Sequence, residues 1–355
     1  MEPRFDDARA QAFGEKMAGV LNGAATALMV SVGHRTGLFD VMSGLTPQDS
    51  HGIAQQAGLD ERYVREWLGA MVTGGVVDYD EGRNQYSLPA EHAASLTREA
   101  RPDNIAATCQ WIPVLGSVED EIVACFEHGG GVPYSSYERF HAVMAEESDQ
   151  SVVAVLLEQI LPGVPGLVDA LERGVEVLDV GCGSGRALNQ MAEAFPGSRF
   201  TGYDLSSEGI AAGKAEALAR GLDNVHFELR DVADLEVDDA FDVVTAFDAI
   251  HDQARPDVVL AGIANALRGD GLFLMQDIRG SSHVHEDKSN PMAPFLYTIS
   301  CMHCMTVSLS ADGAGLGAMW GKETACRMLA DAGFGNVTIR ELPHDQLNDY
   351  YVARK

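Results

Sequence analysis

The stretch LDVGCGSG, residues 178–185, decides how the rest of the chain is read. An apolar, strand-like run ends in glycines at alternate positions, Gly181, Gly183 and Gly185, and a helix-compatible stretch follows from Arg186. Glycines at a strand-to-helix turn permit positive φ and let a ligand approach the amides at the helix N-terminus. A G-x-G by itself is a weak signal. Here the pattern is G-x-G-x-G, and Arg186 stands where a dinucleotide fingerprint places its third glycine.

Outward from this loop the sequence alternates strands and helices. The runs VEVLDV, RFTGYD, VHFELRD, FDVVTAF and LFLMQDI are short and apolar, with helical stretches between them. That rhythm predicts an α/β fold, a doubly wound parallel sheet. NVTIREL and DYYVARK add a terminal pair after a helix over 322–331. Asp204 ends the second strand, 23 residues after Gly181, where a carboxylate can accept from both ribose hydroxyls. Asp231 ends the third, where it can accept from an adenine amino group.

The N-terminal part reads differently. Residues 46–88 contain a short helix over 53–56, a turn at Gly58 and a helix capped by Asp60. VVDYDEGRNQYSL then forms two strands about a polar turn. Helix–turn–helix plus hairpin is a winged-helix pattern. Its reading helix sets Asp60, Glu61 and Glu66 against Arg62 and Arg65, and the wing carries Asp78, Asp80 and Glu81. DNA recognition needs clustered cations, so the segment reads as a scaffold or dimerisation module. GVLNGAATALMVSVG, from Gly19, falls short of the ~18 apolar residues of a membrane span and reads as a buried helix. The apolar segment 21–39 also suits packing against another subunit. Between 97 and 174 the pattern is helical, broken by HGGGVPYSSY and LPGVPG.

The chain has 355 residues and a formal net charge of -28, which speaks against nucleic acid and anionic membrane as partners. MEPRFDDARA lacks the layout of a secretory signal. Six cysteines spread over a chain of this length suit free thiols in a reducing cytoplasm.

With the glycine loop, Asp204 and Asp231, the C-terminal half resembles a class I S-adenosylmethionine (SAM)-dependent methyltransferase from about Val175 onward. With the winged-helix segment added, the whole chain resembles bacterial methyltransferases of plant-type O-methyltransferase architecture. The resemblance implies a Rossmann-like methyltransferase domain over 175–355, a helical linker and active-site cover over 98–174, and a winged-helix dimerisation domain over 1–97. It implies SAM as cofactor, at Asp179, Gly181, Gly183, Asp204, Leu205, Asp231, Val232 and Phe247. Gly181 and Gly183 would adjoin the methionine moiety, Asp204 the ribose, and Asp231 with Val232 the adenine. An NAD-dependent enzyme is the alternative, because Asp204 suits either ribose.

FDAIHDQ, residues 247–253, follows the fourth strand at the edge where open α/β sheets bind ligands. In the resembled O-methyltransferases a His–Asp pair here supplies the general base, which maps onto His251 with Asp252. Asp277 ends the fifth strand, where the resembled family often places an orienting carboxylate, and Asp248 is a weaker candidate. The alternative is an exposed helix-start histidine. The second glutamate that flanks the base in the plant-type pattern is missing, with Met319–Trp320 in its neighbourhood.

SCMHCM and SHVH offer Cys301, His303, Cys304, His283 and His285 as soft-metal donors, but no C-x-x-C partner follows and no metal is expected. Met302, His303 and Cys304, with Trp320 and Tyr134, are candidates to line an acceptor pocket. His303 is a second candidate base. The composition there favours an apolar or sulfur-containing acceptor. The leading reading is a cytoplasmic, homodimeric enzyme that methylates oxygen, or sulfur, of a small molecule. A SAM-sensing transcriptional regulator is the rival.

Overall fold

A computed structural model describes residues 5–355. The first four residues of the stretch tested for a signal therefore lie outside the described part. The chain divides into two compact units, Met1–Val114 and Leu115–Lys355, so the segment read as a linker is shared between them.

The first unit begins with α1 (Asp7–Thr36), capped by the Asp6 carboxylate on the Arg9 amide and ended by Gly37 in the left-handed region. α2 (Leu38–Ser43) and α3 (Ser50–Ala57) follow, then α4 (Glu61–Thr73) with Asp60 as its N-cap. β1 (Asp78–Asp80) and β2 (Gln85–Ser87) form the wing, and a bridge from Gln48 to Tyr86 widens it. Phe39, Ile53, Trp67, Leu68 and Met71 fill the core. One expectation is corrected: α1 is not a buried helix. Only Val30, Ser31, Gly33 and His34 are buried, while Phe13 and Leu21 are 63% and 71% exposed. Small and apolar residues run all round this helix, and the core accepts only its last turns, where Gly33 meets Phe39 and Trp67. By length and composition α1 could also cross a membrane.

The second unit opens with α5 (Glu119–His128) and is built on a seven-stranded sheet. Its elements are β3 (Glu176–Val180), α6 (Arg186–Ala194), β4 (Arg199–Asp204), α7 (Ser207–Arg220), β5 (Val225–Leu229), β6 (Phe241–Phe247), α8 (Pro256–Ala266) and β7 (Leu267–Ile278). A π-helical turn at Ser300–Cys304 leads into α9 (Met305–Ser310), and α10 (Gly321–Asp331), β8 (Asn336–Arg340) and β9 (Asn348–Arg354) complete the unit. The strand order is β5-β4-β3-β6-β7-β9-β8. β3 to β7 are parallel, whereas β9 runs antiparallel between β7 and β8, so the sheet is mixed rather than parallel throughout.

Two apolar clusters sandwich this sheet, one including Leu188, Met191 and Phe200 and the other Leu260, Ile263 and Leu329. Burial on both faces explains why the central strands read as continuous apolar runs. Each such side chain contributes about 1.5–3 kcal/mol when fully buried. β3 has β4 on one side and β6 on the other, so the order reverses there. A crevice opens at the carboxyl ends of strands where the order reverses.

Candidate active site

The glycine loop lies at that crevice, tied down where Gly181 and Cys182 donate to the Tyr203 carbonyl. Gly181, Gly183 and Gly185 all have positive φ. A Cβ on Gly181 would come within 2.6 Å of Ala249, and one on Gly185 within 2.3 Å of Phe227. A Cβ on Gly183 would meet nothing within 4 Å. Two glycines are thus closed in by protein, and the middle one faces open space.

Asp204 fixes the rim. One carboxylate oxygen accepts from the Gly183 amide and the other from the Ser206 amide, both at 2.7 Å. Leu205 beside it is 65% exposed. Asp231 is exposed and accepts from the Ala233 amide at 2.9 Å, Val232 is buried, and Phe247 is half-buried at the end of β6. Asp179 is an interior group: it accepts from the Thr245 hydroxyl at 2.7 Å, and burial pushes its pKa up to about 7 against that bond. An open glycine, a fixed carboxylate and an exposed apolar side chain match a nucleoside that carries a compact charged tail. SAM fits this donor set.

His251 is buried. Its Nδ1 lies 2.9 Å from Asp277 Oδ1 and 3.7 Å from Asp248 Oδ1. Burial disfavours the charged ring, but the Asp277 carboxylate outweighs it with help from Cys304, and the pKa stands well above 6.5. The ring is thus buried, not an exposed helix-start residue. Asp248 has φ 55, and burial pushes its carboxyl up to about 7 although His251 opposes this. Asp252 serves a different partner, since its carboxylate accepts the Tyr134 hydroxyl. Burial and that carboxylate together keep Tyr134 a phenol.

The cysteine–histidine stretch forms the π-helical turn, a distortion often found at functional sites. His303 and Cys304 are buried on one side. His303 stacks on Phe140 at 4.2 Å and meets the edges of Tyr134 and Tyr137 at 5.3 and 5.0 Å. Burial lowers its pKa to about 3, with His251 and His141 adding to the effect, so it is a neutral ring of low basicity. Cys304 hydrogen-bonds to His251, yet burial holds its thiol above the usual range. On the other side Cys301 and Met305 line a cavity of about 520 Å³ with Ile122, Cys125, Phe126 and Leu309. Half-buried Met302 gives its carbonyl to the Tyr137 hydroxyl at 2.5 Å. Among the described residues these cysteines and histidines do not gather as a donor set. The grouping that does is Asp248, His251 and Asp277, where the 2.9 Å bond already occupies the ring nitrogen.

Trp320 takes a place the sequence did not indicate. It is buried, and its indole N–H donates to Asp277 Oδ1 at 3.0 Å. No spacing signal links positions 43 residues apart, and a tryptophan in an apolar run reads as packing or pocket lining. Gly131 was missed as well. A Cβ there would come within 2.0 Å of the Thr306 carbonyl, and the next amide, Val132, donates to the Thr306 hydroxyl at 2.8 Å. The loop that carries Tyr134 is thereby clamped onto α9.

Known proteins match this arrangement in both units. A family model described as a methyltransferase domain matches residues 171–333, and one described as an Rv2258c-like winged HTH domain matches residues 24–98. A fatty-acid O-methyltransferase of Mycolicibacterium smegmatis is 37% identical over 106 residues, 30% of this chain and 38% of that one. Nocamycin O-methyltransferase of Saccharothrix syringae is 42% identical over 102 residues, 28% of this chain and 36% of that one. The chain thus spans well under half the length of either relative. Human N-acetylserotonin methyltransferase, solved in complex with SAM, superposes with a TM-score of 0.72 at 17% identity, covering 100% of this chain and 99% of that one. Mitomycin 7-O-methyltransferase gives 0.71 at 18%, covering 99% and 100%. Residues 171–333 are therefore similar to a methyltransferase domain, residues 24–98 to an Rv2258c-like winged helix-turn-helix domain, and the chain has the α/β fold of the solved methyltransferases.

Proposed function

We propose that this protein transfers the methyl group of SAM to an oxygen, in the first place a hydroxyl, of a small apolar acceptor. His251 is the general base and Asp277 orients it. The observation that carries this reading is the buried 2.9 Å His251–Asp277 pair at the ends of adjacent strands, in the same crevice as Gly183 and Asp204. SAM, when bound, supplies a methyl group made electrophilic by its sulfonium. The protein supplies position and proton transfer. Asp277 accepts the Nδ1 proton of His251 in a hydrogen bond, which leaves Nε2 as the lone-pair nitrogen for the acceptor's proton. The imidazolium that forms is stabilised by the same carboxylate. Asp204 holds the loop rim through Gly183 and is poised for ribose hydroxyls. Asp252 holds Tyr134 at the acceptor side.

Two of the relatives are O-methyltransferases by name, one of fatty acids, which supports an oxygen acceptor with apolar character. The winged helix we assign to dimerisation rather than to DNA. Arg62 pairs with Glu66 at 2.5 Å and Arg65 with Glu61 at 3.4 Å, so the cations of α4 are engaged by their own helix. The exposed apolar side chains of α1 suit the equivalent helix of a second copy. The free thiols support a reducing, cytoplasmic setting. The test is to incubate the protein with SAM and a panel of phenols, alcohols, carboxylic acids and thiols and to follow S-adenosylhomocysteine. An oxygen acceptor is expected. Methylation of thiols alone would overturn the choice of atom, and binding of NADH in place of S-adenosylhomocysteine would overturn the reading entirely.

A further inference from the structure

Three hydrogen bonds converge on one oxygen of Asp277. Oδ1 accepts from His251 Nδ1 at 2.9 Å, from Trp320 Nε1 at 3.0 Å and from the Ile278 amide at 2.8 Å. The other oxygen, Oδ2, is buried without a partner among the described residues. We propose that Trp320 is a positioning residue that sets the basicity of His251 through Asp277, its indole N–H drawing charge from the very oxygen that holds the ring. This rests on the reading of His251 as general base.

Donors that share one anionic oxygen in a dry interior compete for its charge, and removing one strengthens those that remain. The indole thus weakens the hold of Asp277 on the proton that His251 acquires. A base held too firmly as imidazolium is spent at neutral pH, and a catalytic pKa serves best near the working pH. Packing alone could be served by a phenyl ring, whereas a buried indole N–H needs an acceptor. Other groups also face the pair. Asp248 lies 3.7 Å from the same ring nitrogen, Cys304 contacts the ring, Asp252 and His303 act on it from nearby, and Tyr351 faces Asp277. All of them persist when Trp320 is changed, so the comparison isolates the indole.

The test is Trp320→Phe, with the His251 ring followed by NMR across pH and turnover measured in parallel. The ring's titration midpoint is expected to rise by about one pH unit, the ascending limb of the rate profile to follow it, and S-adenosylhomocysteine affinity to hold. On an Asp277→Asn background the same change should leave the midpoint in place. In the wild-type protein the Trp320 indole N–H resonance should titrate with the midpoint of His251, which needs no variant to fold. An unmoved midpoint in a folded Trp320→Phe protein, or an indole resonance flat through the ring's titration, would overturn the coupling. If the midpoint moves and turnover does not follow, the coupling stands and the general-base reading fails.

Discussion

At His251, burial and charge pull in opposite directions, and Asp277 prevails. The ring is therefore protonated at neutrality more often than a free histidine, and only its neutral form can accept a proton. Turnover should rise with pH through a midpoint above 6.5, as a rate profile on an identified acceptor would show. Asp277→Asn removes the charge that raises the ring, so the limb should move to lower pH while the rate falls from lost orientation. His251→Ala should lower turnover by ~10²–10⁴-fold with S-adenosylhomocysteine affinity near wild type. An ascending limb unchanged in that variant would exclude His251 as the base. Asp204→Ala should weaken S-adenosylhomocysteine by about 1.5–3 kcal/mol in calorimetry, since a charge-assisted acceptor is lost. His251, Asp277 and Asp204 were legible in the sequence because each sits at or just after the end of a recognisable strand. Trp320 was not, because only the folded chain brings its N–H to Asp277.

At the scale of elements, the glycine loop separates stability from affinity. Gly185→Ala forces a Cβ to 2.3 Å from Phe227 at a φ of 68, and should destabilise the fold by about 1–3 kcal/mol in denaturant titration. Gly183→Ala meets no protein atom, so its cost should fall on cofactor affinity, read by calorimetry, with a smaller effect on stability. If Gly183→Ala binds S-adenosylhomocysteine as wild type does, the open space is not where the ligand lies. Gly131→Ala drives a Cβ onto the backbone of α9 and should loosen the loop bearing Tyr134, lowering turnover more than cofactor affinity. The central strands β3, β6 and β7 were legible because both faces of the sheet are buried there. The place of β9 inside the sheet was not, because a terminal strand pair has the same pattern at an edge. The exposure of α1 was equally hidden, since an apolar helix reads alike whether its own core or another chain covers it.

For the molecule as a whole, the formal charge of -28 and the exposed face of α1 make separate demands. The charge should keep the protein from duplex DNA at moderate salt, and retention there would revive the regulator reading. The apolar face should bring two copies together, and Leu21→Glu, at a position that contacts solvent in the single chain, should shift light scattering from dimer toward monomer. A wild-type protein that is monomeric at micromolar concentration would remove that expectation. The position of β9 has a consequence in time. Its residues pair along β7, with Asp349 opposite Asp277, and its Tyr350 and Tyr351 are among the most deeply buried side chains. During synthesis β7 leaves the ribosome well before β9, so the strand that carries Asp277 waits with an open edge until residues 348–354 emerge. A nascent chain halted short of Asn348 should hold the glycine loop and α6 in place, yet leave the β7 backbone at Asp277 unpaired on that side and a sticky strand exposed to chaperones.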